Sequence, residues 1–202
     1  MRYRLALILA GAAAGASPTA LTAAEVLRTA ITVRVYQTAG LPSGLEQRAL
    51  AEAETVLRDA FVDVSWRHCT GLNPSPACNV ARGHSELSLR IVREGAPRHD
   101  TSATLGDALI DRGAGGVLAT VYFNHVAWLA KTTGTDAAVV LGRAVAHELG
   151  HLLMRTLVHP GRGLMRPSWT PGELRRNRAA DWAFTAADVV AMRQPWPGYQ
   201  RE

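Results

Sequence analysis

The sequence predicts an α+β fold in which a twisted, mixed sheet of about five strands packs against helices. Short stretches alternate apolar and polar residues, the period of a half-buried strand, and longer ones repeat apolar residues every three to four positions, the period of an amphipathic helix. The chain has 202 residues, a length that suits one domain with a sizeable core. We therefore predict a single domain over residues 24–202, with a helix backing the sheet, a long central helix and a C-terminal helix.

The first half of this domain has the predicted order strand, helix, strand, strand. Residues 31–36, 62–67 and 87–91 alternate apolar and polar side chains and are predicted strands. Ser43 and Glu46 have the spacing of a capping box, which marks the start of the backing helix. The apolar face of that helix is formed by Leu45, Ala49, Ala53, Val56, Leu57 and Ala60.

The second half contains two more predicted strands before the central helix. Residues 105–109 predict a short edge strand, residues 117–123 a buried strand and residues 125–131 a helical turn. The central helix follows Gly134, with Thr135 as its predicted N-cap.

A last helix closes the domain. Thr185 and Asp188 have the spacing of a second capping box, and the helix that they start runs through Met192. We expect Val189 and Val190 to pack this helix onto the core.

Residues 1–23 have the features of a secretory signal peptide. Arg2 and Arg4 precede an apolar run over residues 5–14, and small residues follow up to a predicted cleavage site near Ala23. The apolar run is too short to span a bilayer, and polar residues interrupt the later apolar stretch in the central helix. We therefore expect an exported protein, secreted or periplasmic, without stable membrane insertion.

The two cysteines, Cys69 and Cys78, agree with export because such a pair forms a disulfide in an oxidising compartment. A disulfide of this kind stabilises a fold by about 2–4 kcal/mol. The alternative is a second metal site, which needs two further ligands, and His68 and His84 are the nearby candidates.

The charge of the chain gives no indication of a nucleic-acid partner. The net charge is +5, and it falls to about +3 when Arg2 and Arg4 are removed with the signal peptide. Basic residues do not alternate with aromatic ones as on a nucleic-acid surface. The cluster of Arg175, Arg176 and Arg178 is interpreted as a solvated helix face. We also expect the protein to be a monomer.

The central helix carries a candidate metal site. His147 and His151 are four residues apart, and positions four apart on a helix lie on the same face. Their imidazoles can bind one metal ion, and Glu148 lies beside them as a candidate general base. An apolar helix rarely carries His and Glu without partners. The alternative is two core histidines satisfied by hydrogen bonds.

A catalytic zinc site needs a third protein ligand and leaves a fourth position for water. His159 follows His151 by eight residues and precedes a glycine-containing turn. The alternative ligand is Glu173 on a later helix, although residues 170–173 also have the pattern of a helix cap. An incomplete site is a third interpretation. The other histidines are predicted to lie at the surface: His68, His84, His99 and His125.

These residues resemble the metzincin metallopeptidases, a family of the zincins. Residues 147–151, the later His159 and residues 164–167 are similar to the zinc helix, the third ligand and the Met turn of that family. The similarity is greatest to the matrix metalloproteinase branch, and the order of predicted elements also agrees. The chain also resembles exported bacterial zincins. Met154 and Leu157 stand where that branch has glycine and histidine, so we expect the helix to continue and the turn to come later.

The resemblance implies a role for each site residue. His147, His151 and His159 bind one catalytic Zn²⁺, and Met165 forms the apolar floor beneath it. An extended substrate lies against the edge strand, and the segment after the Met turn forms a wall of the specificity pocket. These pocket residues are Leu105, Gly106, Asp107, Ala108, Arg166, Pro167 and Trp169.

The implied function is an exported zinc-dependent endopeptidase that acts on proteins or peptides. In this interpretation a zinc-activated water attacks the peptide carbonyl, and Glu148 is the general base. Two alternatives are a zinc-binding domain of the zincin fold without peptidase turnover, and a structural or adhesion domain that has kept the fold.

Overall fold

The computed structural model describes residues 28–71, 74–83, 85–93, 104–111 and 115–194. The predicted signal peptide, His84 and His99 lie outside these residues. The described residues form the strands β1 (Thr29–Gln37), β2 (Val62–His68), β3 (Glu86–Val92), β4 (Gly106–Asp111) and β5 (Gly115–Tyr122) and the helices α1 (Leu45–Asp59), α2 (Phe123–Thr133), α3 (Ala137–Met154), α4 (Pro171–Arg176) and α5 (Ala186–Met192). The predicted α+β class is confirmed.

The five strands form one mixed sheet with the order β2-β1-β3-β5-β4. β1 is parallel to both β2 and β3, and β3 is parallel to β5. β4 is antiparallel to β5 and lies at the end of the sheet. The predicted edge strand is therefore an edge strand, and its outer side pairs with no other strand of the described residues.

The core lies where α1 and α3 pack on the sheet. The inward residues of three neighbouring strands, Val33, Leu89 and Val121, have no exposed area. The whole predicted apolar face of α1 is buried. A side chain at Gly142 would place its Cβ 2.5 Å from the backbone oxygen of Ala49. The glycine thus allows α3 to approach α1 closely.

The central helix α3 is almost completely enclosed by the rest of the fold. Of the described helices, it is the one with the length and apolar composition of a membrane span, but 83 % of it is buried inside the protein. Its apolar character is therefore explained by its place in the core. Burial on all sides also puts its polar residues, His147, Glu148 and His151, into an environment of low polarity.

The predicted N-cap of α3 is wrong by one residue. The Asp136 side chain caps the helix and accepts a hydrogen bond from the Ala138 N–H at 2.9 Å. The Thr135 N–H instead donates to the Ala130 carbonyl at 3.0 Å, which closes the end of α2. Thr135 therefore belongs to the preceding turn, which Gly134 reverses with a φ of +69°.

The capping box predicted at Ser43 and Glu46 is also wrong. Gly44, with a φ of +71°, is the N-cap of α1, and no side chain caps the helix. Ser43 is therefore one residue too early. Glu46 lies 3.0 Å from Nδ1 of the exposed His68.

The closing helix α5 begins at the predicted capping box, in which the Thr185 and Asp188 side chains both accept backbone N–H groups. Val189 packs against the core, but Val190 is 60 % exposed. The expectation for Val190 is wrong because a helix of seven residues buries one narrow face, and Met192 occupies it. The predicted turn over residues 125–131 is a complete helix of 11 residues.

Cys69 and Cys78 form a disulfide in the structure, with their Cα atoms 5.6 Å apart. The bond joins the end of β2 to a short 3₁₀ turn over Pro76–Asn79. Neither cysteine is then available as a metal ligand, so the alternative of a second metal site at this loop is wrong.

Candidate metal centre

The two histidines of α3 lie on one face of the helix, as the spacing predicts. The Nε2 atoms of His147 and His151 are 3.1 Å apart, and the rings meet edge to face. The side chains are 8 % and 3 % exposed. Both imidazoles are therefore largely shielded from bulk water.

The third histidine comes from the loop after α3. The helix includes Met154 and ends at Arg155, which has a φ of +54° and reverses the chain. The Thr156 N–H then donates to the His151 carbonyl at 3.2 Å. After this turn, Nε2 of His159 lies 3.3 Å from Nε2 of His147 and 3.1 Å from Nε2 of His151. The helix thus continues through Met154 and the chain reverses at Arg155, later than in the resembled pattern, as expected from the sequence.

Hydrogen bonds at the opposite ring nitrogens orient the two helix histidines. Nδ1 of His147 donates to the Leu164 carbonyl at 3.0 Å, and Nδ1 of His151 donates to the Thr156 carbonyl at 2.7 Å. The proton of each neutral ring is then on Nδ1, and Nε2 presents a lone pair, as a metal ligand requires.

Burial keeps these imidazoles in the neutral form that binds metal. It lowers the pKa of His147 to about 3, against the effect of the Leu164 hydrogen bond and together with the nearby His151, His159 and Arg166. It also lowers the pKa of His151. The lone pairs on Nε2 of neutral His147 and His151 repel each other, and Nε2 of His159 converges on the same point, so the arrangement indicates a place for a cation.

The spacing of the three nitrogens fits zinc. Ligands at a Zn–N distance of about 2.0–2.1 Å in a tetrahedron lie about 3.3 Å from one another, and the observed separations are 3.1–3.3 Å. Within the described part of the chain, this is the one group of three metal-binding side chains that come together. Three protein ligands leave a fourth tetrahedral position for water or substrate.

Glu148 lies beside the histidines and is 6 % exposed. Burial and, to a smaller extent, the negative charge of Asp107 together raise the pKa of its carboxyl to about 8. A divalent cation nearby acts in the opposite direction and favours the carboxylate. A Cβ at Gly106 would lie 2.8 Å from Oε1 of Glu148. The glycine of β4 therefore leaves room for this carboxyl.

Residues 163–166 form a turn beneath α3. Met165 is fully buried, and its Sδ would be 2.8 Å from a Cβ at Gly150. The turn is held by the Arg166 guanidinium, whose Nη1 donates to the Gly163 carbonyl at 2.6 Å and also to the Asp181 carbonyl. The Leu164 carbonyl that orients His147 belongs to this turn.

Glu173 is used as a helix cap. Its Oε2 accepts from the Thr170 N–H at 2.8 Å, and its Oε1 lies 3.3 Å from Nε of Arg166. The structure therefore does not bring Glu173 to the histidines, and the cap interpretation of residues 170–173 is confirmed by the capping box that starts α4.

A cavity of about 610 Å³ opens beside the three histidines and Glu148. It is lined by all of the predicted pocket residues: Leu105, Gly106, Asp107, Ala108, Arg166, Pro167 and Trp169. The structure thus places the edge strand and the segment after the Met turn on the walls of one cavity. Their roles toward a substrate stay predictions.

One wall of this cavity was not predicted from the sequence. His125, Trp128 and Leu129 line it from α2. His125 was expected at the surface, but it is half-buried, and its Nδ1 donates to the Thr104 carbonyl at 2.7 Å. The signal in the sequence was the position of these residues directly after β5, where the chain leaves the sheet next to β4.

No protein-family model and no curated protein matches the sequence. Solved structures do match the fold. The crystal structure of a zinc-dependent peptidase from Methanocorpusculum labreanum (strain Z) superposes with a TM-score of 0.53 at 17 % sequence identity. The match covers 79 % of this chain and 99 % of that chain. At this identity it shows a shared fold.

Proposed function

We propose that this chain is an exported zinc-dependent endopeptidase. The observation that carries the proposal is the convergence of three histidine Nε2 atoms, 3.1–3.3 Å apart, beside a buried carboxyl group and an open cavity. A protein of the same fold is named a zinc-dependent peptidase, which agrees with it. The disulfide agrees with an oxidising compartment and hence with export.

His147, His151 and His159 would hold the zinc through their Nε2 atoms. Bound zinc supplies Lewis acidity, which makes a water molecule nucleophilic near neutral pH and stabilises the negative charge that develops on the substrate oxygen. The chain prepares the ligands for this by tying both helix histidines to backbone carbonyls through Nδ1. These outer hydrogen bonds fix the rings and increase their basicity.

Glu148 is the proposed general base. Its carboxylate takes a proton from the attacking water and delivers it to the leaving amine nitrogen. The side chain is 6 % exposed and lies against the backbone at Gly106, which limits its contact with bulk water. The histidines and Glu148 face the same cavity, as this proton transfer requires.

The outer side of β4 is the proposed binding site for the peptide backbone. An extended peptide can add to a free sheet edge as a further strand, with alternate side chains entering pockets. Residues of this strand also line the cavity beside Glu148. A peptide paired with β4 therefore passes the three histidines with its backbone extended.

A peptide-library digest tests the proposal, with the wild-type protein and Glu148→Ala compared at equal zinc content. We expect Glu148→Ala to bind zinc but to cleave about 10²–10⁴-fold more slowly, the usual contribution of a general base. Glu54→Ala is the control because Glu54 lies on α1, outside the cavity, and this variant should cleave like the wild type.

Equal cleavage by the wild type and Glu148→Ala would refute the role of Glu148. Absence of cleavage by a wild-type protein that holds one zinc would refute the peptidase and favour a zinc-binding domain without turnover.

A further inference from the structure

We propose that Asp107 is a specificity-determining residue, which selects substrates that carry an ammonium or guanidinium group beside the edge strand β4. The inference rests on the proposed peptidase function and adds the charge of the preferred substrate to it.

Asp107 lies where a bound peptide would pass. It is an exposed residue near the start of β4, and it lines the same cavity as Glu148 and the three histidines. Its neighbour Gly106 contacts Glu148. A peptide along the edge of β4 therefore meets Asp107 close to the reacting groups.

The carboxylate of Asp107 is oriented from one side. The Tyr122 hydroxyl donates to its Oδ1 at 2.5 Å, and Tyr122 is half-buried at the end of β5. The Tyr122 ring also packs against the His125 ring, with centroids 5.7 Å apart. Among the described residues, no other side chain donates to Asp107 and no cationic group forms an ion pair with it. The second carboxylate oxygen is therefore available to a ligand.

The other charged groups of the cavity wall are already engaged. The Arg166 guanidinium is 7 % exposed and is bound to the Gly163 and Asp181 carbonyls. Glu148 is buried. Asp107 is thus the exposed fixed charge of this wall, in the described part of the chain.

Much of the remaining cavity surface is apolar, with contributions from Leu105, Ala108, Trp128, Leu129, Leu157 and Trp169. A charge beside apolar walls is less screened than one in bulk water, so its attraction for an opposite charge on a ligand is stronger. A cationic substrate group therefore gains an attraction here, whereas an anionic one is repelled.

The test uses N-acetylated, internally quenched peptides that differ at one position, which is moved along the peptide on both sides of the cleaved bond. That position holds lysine, norleucine or glutamate, so that chain length is kept while the charge changes. We expect wild-type kcat/KM at one position to be about tenfold higher for lysine than for norleucine, the size of one charge-assisted hydrogen bond. Glutamate should be the poorest of the three.

Asp107→Asn should lower the ratio of kcat/KM for the lysine peptide to that for the norleucine peptide to about one, and this ratio is the readout because the variant can also change the absolute rate of cleavage. Asparagine retains an acceptor for the Tyr122 hydroxyl. Asp59→Asn is the control: it removes the same charge from the exposed end of α1, and it should retain the preference. Peptides with a free N-terminus show whether a substrate α-ammonium can replace the lysine side chain.

A parallel binding measurement separates the two proposals. The zinc-loaded Glu148→Ala protein is titrated with the lysine and norleucine peptides and compared with Glu148→Ala/Asp107→Asn, with tryptophan fluorescence as the signal because Trp128 and Trp169 line the cavity. Tighter lysine binding that depends on Asp107, without cleavage by the wild type, would support this inference and refute the peptidase. Cleavage by the wild type with no lysine preference at any position would overturn the inference and leave the peptidase intact.

Discussion

At the scale of single residues, the site depends on groups that hold the histidines as much as on the histidines themselves. His147 and His151 were predictable from their spacing. Their hydrogen-bond acceptors are backbone carbonyls of Leu164 and Thr156, and a carbonyl is present at every residue, so no residue type marks these two. The sequence therefore predicts the ligands but not the atoms that orient them.

Gly150 is a residue at which a single methyl group should disturb the site. Its added Cβ would lie 2.6 Å from Cε1 of Phe184 and 2.8 Å from Sδ of Met165. Alanine gains about 1 kcal/mol of helix propensity but overpacks by about 1–3 kcal/mol, so we expect Gly150→Ala to lose about 0–2 kcal/mol of unfolding free energy. Urea denaturation of the zinc-free protein measures this change.

The control for Gly150→Ala is Gly161→Ala, because a Cβ at Gly161 meets no atom within 4 Å. This variant should be as stable as the wild type. A Gly150→Ala protein that is more stable than the wild type by about 1 kcal/mol, the gain in helix propensity alone, would show that Met165 and Phe184 do not pack against α3 as described.

Glu86 should make the fold sensitive to acid. Burial opposes its ionisation, but hydrogen bonds from the Gly83 N–H, Arg34 and Arg67 outweigh that effect and lower its pKa below 4.5. The ionised Glu86 carboxylate therefore stabilises the fold fully at pH values above its unfolded pKa of 4.5. This stabilisation is lost as the pH falls through the lower pKa of the folded state. Because Arg34 is 4 % exposed, Glu86→Gln leaves a buried cation without its partner.

We expect Glu86→Gln to cost about 3 kcal/mol at pH 7, as when one partner of a buried pair is removed, and less at pH 3. Glu54→Gln is matched to it, since it removes an exposed ion pair with Arg58 on α1, and should cost about 0.3–0.5 kcal/mol. Denaturation at both pH values tests this. A Glu86→Gln cost as small as that of Glu54→Gln would contradict the buried network.

At the scale of elements, the apolar patterns predicted the five strands and the helices α1 and α3, and cap patterns marked the starts of α4 and α5. The helix α2 was predicted only as a turn, and helix starts were less predictable than the elements themselves. The boxes at Thr170 and Thr185 are formed as expected. Ser43 and Thr135 failed because each precedes the true N-cap by one residue. In both cases a glycine with a positive φ angle determines where the helix begins. Gly44 is the N-cap of α1, and Gly134 reverses the chain before α3.

The start of α3 can be tested directly. Asp136→Ala removes the side chain that accepts the Ala138 N–H, and the loss of an N-cap costs about 0.5–2 kcal/mol. Thr135→Ala should cost less, since its hydroxyl contacts only the Thr133 hydroxyl among described residues. Melting temperatures of the two variants show which substitution lowers the stability more. A larger loss for Thr135→Ala would restore Thr135 as the cap.

At the scale of the whole molecule, the sheet order and the cavity were not predictable from local patterns. Strands β1, β3 and β5 pair across long intervals of sequence, and the alternation within each strand does not specify its neighbours. The wall that α2 contributes depends on this long-range arrangement. The shared fold with the zinc-dependent peptidase from M. labreanum, at 17 % identity, likewise shows that very different residues can form this architecture.

The most direct test of the account is X-ray absorption spectroscopy of the zinc-loaded protein, with zinc content measured on the same sample. We predict one zinc per chain with three imidazole nitrogens at about 2.0–2.1 Å and one further light ligand, and His159→Ala should lose one imidazole and at least about tenfold in zinc affinity. A wild-type site with two imidazoles, or a His159→Ala spectrum identical to that of the wild type, would contradict the three-histidine centre on which the proposed function rests.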